Sequence, residues 1–137
     1  KTDLAELDMI VNSVLRVRKM LWRLCSDERL YLPREYGGRG LKSFRAIYEE
    51  TKIRIVCYMC KSNDAAIINS WERELSKEHH SLPKEMIHIF REIGHSIRFD
   101  FDNIILGDEV LVGEYAEVYR LLKKVYKKGH IAKIIDN

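Results

Sequence analysis

Hydrophobic residues recur at three- and four-residue steps over most of this 137-residue chain. That spacing is typical of helices that bury one face, because residues three and four apart lie on the same side of a helix. The pattern predicts helices over residues 3–25, 44–61, 65–77, from Ser81 onward and over 113–128. Residues 98–112 alternate only weakly, so they are expected to form a loop or short strands.

Two of these predicted helices have a distinct apolar side. In helix 44–61, with Ser43 as N-cap, the residues expected to face the core are Phe44, Ile47, Tyr48, Ile55, Tyr58 and Met59. In helix 113–128 they are Tyr115, Val118, Tyr119, Leu122, Val125 and Tyr126, and the opposite side carries Arg120, Lys123, Lys124, Lys127 and Lys128. Gly129 is the expected residue just beyond the end of that helix, where glycine is common.

The predicted fold is therefore all-α, with about five helices in one compact domain over residues 1–137. Residues 29–42 do not have a helical pattern, and they allow a short two-stranded β-hairpin, with RLYL pairing with GRGL. A soft boundary is expected near residues 62–64, where the balance of charge changes. It separates a basic half, 1–62, from a helical remainder, 63–137.

Charge distinguishes these two halves more than the total suggests. The chain is 46% hydrophobic and 33% charged, which suits one globular domain, and its net charge is only +3. Residues 1–62 contain 13 Lys and Arg against 8 Asp and Glu, whereas residues 63–137 contain 11 against 13. We expect an anionic partner to meet the basic half.

Several sequence features bear on where the protein works. The chain begins at Lys1 without methionine, so we expect it to be part of a longer polypeptide. It has no secretory signal and no apolar run of membrane-spanning length. Its three cysteines, Cys25, Cys57 and Cys60, follow no disulfide framework. These features predict reduced thiols in an intracellular protein, nuclear or cytoplasmic, with no membrane partner.

The segment 29–43, RLYLPREYGGRGLKS, is the leading candidate site. It places three glycines and four basic residues between two predicted helices. Arginines around a glycine turn can contact phosphates, Tyr31 and Tyr36 can stack on bases, and the N-terminus of helix 44–61 can attract an anion. The same residues also fit a turn that only lets two helices pack. Likewise, the lysines of helix 113–128 fit either a second binding surface or a solvated face.

Catalytic and metal sites are poorly supported by the sequence. The glycines lack the Gly-Lys-Ser/Thr of a phosphate-binding loop and the spacing of a dinucleotide fingerprint. Asp100 and Asp102 could share a divalent ion, but a solvated loop explains them better. Cys57 and Cys60 have zinc-like spacing, yet the adjacent His79 and His80 are poorly spaced to ligate one ion. We predict no catalytic residue, no metal and no cofactor.

The glycine segment resembles part of the reverse transcriptases of non-LTR retrotransposons. These polyproteins carry a similar segment, R-L-Y-L-P-R-x-x-G-G-R-G-L-x-S, in the thumb and linker that follow the polymerase palm. The matching residues are Arg29, Leu30, Tyr31, Leu32, Pro33, Arg34, Gly37, Gly38, Arg39, Gly40, Leu41 and Ser43. The resemblance covers about residues 5–58 and implies part of an RNA-directed DNA polymerase.

That resemblance also limits the expected activity. The chain contains no Asp-Asp dipeptide, so the catalytic aspartates of such a polymerase would lie outside it. The resemblance implies a non-catalytic clamp on template RNA or primer duplex, with Arg34, Arg39 and Lys42 contacting phosphates.

The complete predicted site combines the glycine segment with the last helix. It consists of Arg29, Tyr31, Arg34, Gly37, Gly38, Arg39, Gly40, Lys42, Lys123, Lys124, Lys127 and Lys128. The expected partner is RNA, or a hybrid or DNA duplex. The alternative is a protein-interaction or oligomerisation module without a nucleic-acid role, for which a homo-oligomer is one form.

Overall fold

The computed structural model describes residues 2–17 and 42–136. In that part of the chain the elements are α1 (Thr2–Val17), α2 (Phe44–Lys61), α3 (Ala65–Ser76), α4 (Leu82–Glu92), β1 (Ile97–Asp100), β2 (Asn103–Leu106), β3 (Glu109–Leu111) and α5 (Tyr115–Asp136). By internal contacts the chain divides into two units, Lys1–Tyr48 and Glu49–Asn137. The end of the first predicted helix and, apart from Lys42, the hairpin predicted near 29–42 lie outside the described residues.

In the first unit, the N-terminus of α2 is capped by two side chains. The backbone N–H of Ala46 donates to Ser43 Oγ at 3.0 Å, which confirms Ser43 as the N-cap. The N–H of Phe44 donates to Asp8 Oδ1 of α1 at 2.8 Å. These bonds satisfy helix-end N–H groups that have no partner within the helix itself.

In the second unit, α3 and α4 begin as the sequence predicted. Asp64 Oδ1 accepts hydrogen bonds from the N–H groups of Ala66 at 2.9 Å and Ile67 at 3.4 Å. Ser81 Oγ accepts one from Lys84 N–H at 3.3 Å, and Pro83 lies in the first turn of α4, where its missing N–H costs nothing. The helix ends at Glu92, and Gly94 follows with φ of +82°.

Residues 97–111 correct the all-α prediction. They form a three-stranded antiparallel sheet in the order β1-β2-β3, so the protein is mostly helical but not all-α. The strands are three or four residues long, which is too short for a clear period-two pattern in the sequence. Each strand contributes one buried residue to the core, and these are Ile97, Ile104 and Leu111.

The core of the second unit is formed by one face of each helix and one face of the sheet. Its buried members are Ile53, Val56, Cys57 and Cys60 of α2, Trp71 of α3, Met86, Ile89 and Phe90 of α4, the three strand residues, and Val118, Leu122 and Tyr126 of α5. The inner side of α2 also carries a buried carboxylate, Glu49, which accepts a hydrogen bond from Tyr126 Oη at 2.8 Å. This bond lets a charged residue lie on the core side of the helix.

The predicted apolar face of α2 was therefore wrong. The side chains of Phe44, Ile47, Ile55 and Tyr58 are 40–46% exposed, and only Met59 and Tyr48 of that set are half-buried. The helix carries two apolar stripes in its sequence. Packing buries the stripe through Ile53 and Val56, a choice that periodicity alone does not reveal.

The last helix is longer than predicted. Helix α5 continues through Gly129 to Asp136 instead of ending before that glycine. The glycine is explained by packing, because a Cβ added there would lie 2.8 Å from Ile93 Cβ and 2.9 Å from Ile93 Cδ1. Gly129 therefore allows close approach of another side chain to the helix backbone and does not end the helix.

Candidate nucleic-acid interface

The predicted site is divided between described and undescribed parts of the chain. Seven of its residues lie outside the described residues, namely Arg29, Tyr31, Arg34, Gly37, Gly38, Arg39 and Gly40. Lys42 is exposed and immediately precedes the N-cap of α2. The other four predicted residues, Lys123, Lys124, Lys127 and Lys128, are lysines of α5 and lie within the described residues.

The N-terminus of α2 is less available to an anion than the sequence suggested. The N–H groups of Phe44 and Ala46 already donate to Asp8 Oδ1 and Ser43 Oγ. The N–H of Ile47 donates to the carbonyl of Ser43 at 3.1 Å. Because a carboxylate occupies this helix end, the positive end of the helix dipole is already partly compensated there.

On α5 the basic residues lie on the side opposite the core. Val118, Leu122 and Tyr126 define the buried side, each with no more than 2% exposure. Four exposed basic residues recur at three- and four-residue steps on the opposite side, and these are Arg120, Lys124, Lys127 and Lys128. We call these four the α5 basic face. Arg120 belongs to it although the predicted site omitted it.

Lys123 occupies the edge of this face. Its side chain is half-buried, and its Nζ lies 5.7 Å from the centroid of the Tyr119 ring. A cation at that distance from an aromatic face is attracted by the ring. Lys123 is therefore already engaged within the helix, and we expect it to contribute less to a ligand than the four exposed residues do.

No acidic residue lies within the α5 basic face, and Glu117 lies one helical turn before Arg120. Between residues 118 and 135 there are six Lys and Arg and no Asp or Glu. Like charges four residues apart on a helix repel, and each such pair costs about 0.2–0.5 kcal/mol. Arg120–Lys124 and Lys124–Lys128 are two such pairs. A polyanion bound at this face would relieve that repulsion.

The remainder of the second half of the chain has the opposite charge. Residues 63–114 contain 5 Lys and Arg against 11 Asp and Glu. Counting 63–137 as one half therefore conceals a basic helix that follows an acidic region. A charge count over each predicted helix would have revealed it from the sequence.

The cysteines of α2 have the properties of core residues. Cys57 and Cys60 are buried and not in a disulfide. Burial raises the pKa of Cys57 to about 12 and the pKa of Cys60 to about 11. Thiolates bind zinc, so these raised pKa values oppose ligation. His79 and His80 are exposed in the segment between α3 and α4. Among the described residues no group of three or more His, Cys, Asp or Glu could hold a metal ion.

Asp100 and Asp102, which the sequence suggested as possible ligands of a divalent ion, lie at the turn between β1 and β2. Asp100 ends β1 opposite Asn103, and Asp102 is an exposed turn residue. The arrangement fits the solvated alternative that the sequence favoured.

Comparison with known proteins does not assign this chain to a family. No family model matches it, and searches of curated proteins and of solved structures find no match. The resemblance to retroelement reverse transcriptases therefore stays a prediction from residues 5–58. In the described part of the chain, no helix is both long enough and apolar enough to cross a membrane.

Proposed function

We propose that this chain binds the sugar–phosphate backbone of a nucleic acid, as a non-catalytic thumb- or linker-like part of a retroelement reverse transcriptase. The observation that carries this proposal is the α5 basic face, four exposed cations opposite the core with no acidic residue between them. The similarity of residues 29–43 to the reverse transcriptase segment supports the same partner. The catalytic aspartates of the polymerase would lie in another part of the parent protein.

The chemistry of this face favours phosphate contacts over base recognition. Lysine is a compact charge on a flexible stem, which suits contact with phosphate oxygens and carries little sequence information. The aromatic residues of α5 lie away from this face. Tyr126 is buried, and Tyr119 is half-buried beside Lys123. Tyr115 is exposed but packs edge to face on Tyr58 of α2. Single-strand binding usually adds exposed aromatic residues that stack on bases. We therefore expect duplex or hybrid to bind this face better than single-stranded RNA.

The size of the face is compatible with several contacts. Arg120 and Lys128 are eight positions apart on α5, or about 12 Å at about 1.5 Å per residue. Duplex DNA carries one negative charge per about 1.7 Å of axis. A duplex lying along α5 would therefore offer enough phosphates for all four cations.

Binding titrations with three nucleic acids test this proposal. Single-stranded RNA, DNA duplex and RNA–DNA hybrid are titrated with the wild-type chain, with Lys124→Gln/Lys127→Gln/Lys128→Gln and with Arg34→Ala/Arg39→Ala/Lys42→Ala. Loss of three phosphate contacts is expected to weaken duplex binding on the order of 100-fold near about 0.1 M salt. Unchanged binding by the lysine variant would reject the α5 site, and unchanged binding by the loop variant would reject the loop site.

A protein-interaction role is the second candidate, and one observation favours it. Ile55 and Tyr58 expose apolar surface on α2 that the sequence pattern predicted to be buried. An apolar surface exposed on a folded unit is a common mark of a protein contact. A mass that rises with concentration, with no shift when RNA is added, would favour this role over nucleic-acid binding.

A further inference from the structure

The two turns of the β-sheet use different residues for the same backbone conformation. Both join antiparallel strands through two residues, Phe101-Asp102 and Gly107-Asp108. The first residue of each turn has positive φ, +54° for Phe101 and +64° for Gly107. Glycine reaches this region without strain, whereas a bulky side chain makes it unfavourable. Phe101 therefore occupies a position that suits glycine better.

Two core residues form hydrogen bonds with the backbone of Phe101. Its carbonyl oxygen accepts a hydrogen bond from Trp71 Nε1 at 2.7 Å, and Cys60 Sγ lies 3.8 Å from the same oxygen. Any residue at position 101 would supply that carbonyl. The hydrogen bonds therefore explain why the turn keeps its conformation, but they do not explain why the residue is phenylalanine.

The ring of Phe101 does not contribute to the core either. The residue is 55% exposed at the tip of the hairpin, and it is flanked by Asp100 and Asp102, which are both exposed. We call these three residues the acidic aromatic tip. A strained position whose aromatic ring makes no core contact is a reason to look for an external one, and the two flanking carboxylates disfavour a phosphate backbone as the partner.

The same unit carries a surface of complementary character. Tyr58 of α2 and Tyr115 of α5 meet edge to face, with ring centroids 5.2 Å apart, and remain 45% and 36% exposed. Ile55 lies one helical turn from Tyr58 and is 43% exposed, and the neighbouring Arg54 is exposed as well. We call Arg54, Ile55, Tyr58 and Tyr115 the tyrosine face.

We propose that this protein self-associates by inserting the acidic aromatic tip of one copy against the tyrosine face of another. Phe101 would bury its ring against the tyrosines and Ile55, and a flanking carboxylate would approach Arg54. Charge favours contact between the two different surfaces. Two acidic aromatic tips in contact would place carboxylates next to each other, and two tyrosine faces in contact would place the two copies of Arg54 next to each other. Among the described residues, Asp100, Asp102 and Arg54 form no salt bridge. A two-fold arrangement would use both contacts at once.

Phe101→Gly separates association from folding. Glycine removes the ring and also removes the strain at positive φ, so this variant should unfold at the same or a higher temperature than the wild type. Its self-association constant, measured by sedimentation equilibrium over a concentration series, should fall at least tenfold. The matched control is Leu121→Ala, which removes an exposed apolar side chain, 44% exposed, from a different surface. That control should associate as the wild type does.

A charge exchange tests the pairing itself. Asp100→Arg/Asp102→Arg and Arg54→Glu should each lose self-association alone, and their equimolar mixture should recover a two-chain species. Wild-type protein that stays monomeric throughout the concentration series would overturn the proposal. So would association of Phe101→Gly equal to that of the wild type, or a mixture that remains monomeric.

Discussion

The second and last helices, α2 and α5, contribute to the same core but present different surfaces outward. Inward, α2 packs through Ile53 and Val56, and α5 through Leu122 and Tyr126. Outward, α5 presents lysines and an arginine, whereas α2 presents Ile55 and Tyr58. A helix with one apolar stripe has only one way to face a core. A helix with two has its orientation decided by its partners.

A buried polar group explains part of the orientation of α2 toward the core. The inner side of α2 includes Glu49, whose carboxylate accepts the hydrogen bond of Tyr126 Oη at 2.8 Å. Burying a charged group is unfavourable unless it is hydrogen-bonded, so a sequence pattern assigns glutamate to the outside. The partner of Glu49 is 77 positions away in the sequence, which is why the pattern of α2 alone misleads.

The largest expected effect separates the two sides of α2. Ile53→Ala should lower the free energy of unfolding by about 2–5 kcal/mol, because the buried side chain leaves a cavity. Ile55→Ala removes the same atoms from an exposed position and should cost less than about 1 kcal/mol. Urea denaturation of both variants measures the difference. Equal losses would contradict the placement of Ile53 in the core and of Ile55 at the surface.

Alkaline pH tests the inner side of α2 without changing its packing. The folded-state pKa values of Cys57 and Cys60, about 12 and about 11, lie above their ordinary value of 9.0. The unfolded chain therefore loses these protons first, and stability is complete below about pH 9 and falls as the pH rises above it. We expect about 2 kcal/mol of loss between about pH 9 and about pH 10 from the two thiols.

The control for that experiment removes both thiols. Cys57→Ala/Cys60→Ala should be less stable at neutral pH but should show a shallower decline between the same two pH values. Parallel declines would show that other groups cause the alkaline loss.

A smaller effect concerns the side of α5 that meets Ile93. Gly129→Ala should destabilise the protein by about 1 kcal/mol, because the added methyl overlaps Ile93. Alanine at an open helix position would instead stabilise by about 1 kcal/mol. Thermal unfolding of Gly129→Ala, of Ile93→Ala and of the double variant measures the coupling. Additive effects would contradict the close contact between these residues.

Local signals in the sequence predicted much of this fold. Ser43, Asp64 and Ser81 mark helix starts because capping depends only on residues within one turn. The sequence left residues 98–112 as either a loop or short strands, since strands of three or four residues carry too few alternations to decide between the two. Gly129 was misassigned because the side chain that requires a glycine there, Ile93, lies at the end of α4 and is distant in sequence.

The candidate site was predicted in part. The lysines of α5 could be recognised because their spacing places them opposite an apolar stripe. Arg120 has the same signal and would have been found by applying the helical spacing to every basic residue. The capping of α2 by Asp8 was not foreseeable, because it depends on a contact between residues 36 positions apart.

The salt dependence of duplex binding tests the central claim most directly. Each phosphate contact contributes about −0.9 to the slope of log Kobs against log salt concentration. Lys124→Gln/Lys127→Gln/Lys128→Gln should therefore reduce the steepness of this slope by nearly three. The matched control, Lys77→Gln/Lys84→Gln/Arg91→Gln, removes the same charge from α4 and from the end of α3, where Lys77 is the C-cap, and should keep the wild-type slope. If both variants give the same slope, the α5 basic face does not bind the nucleic-acid backbone.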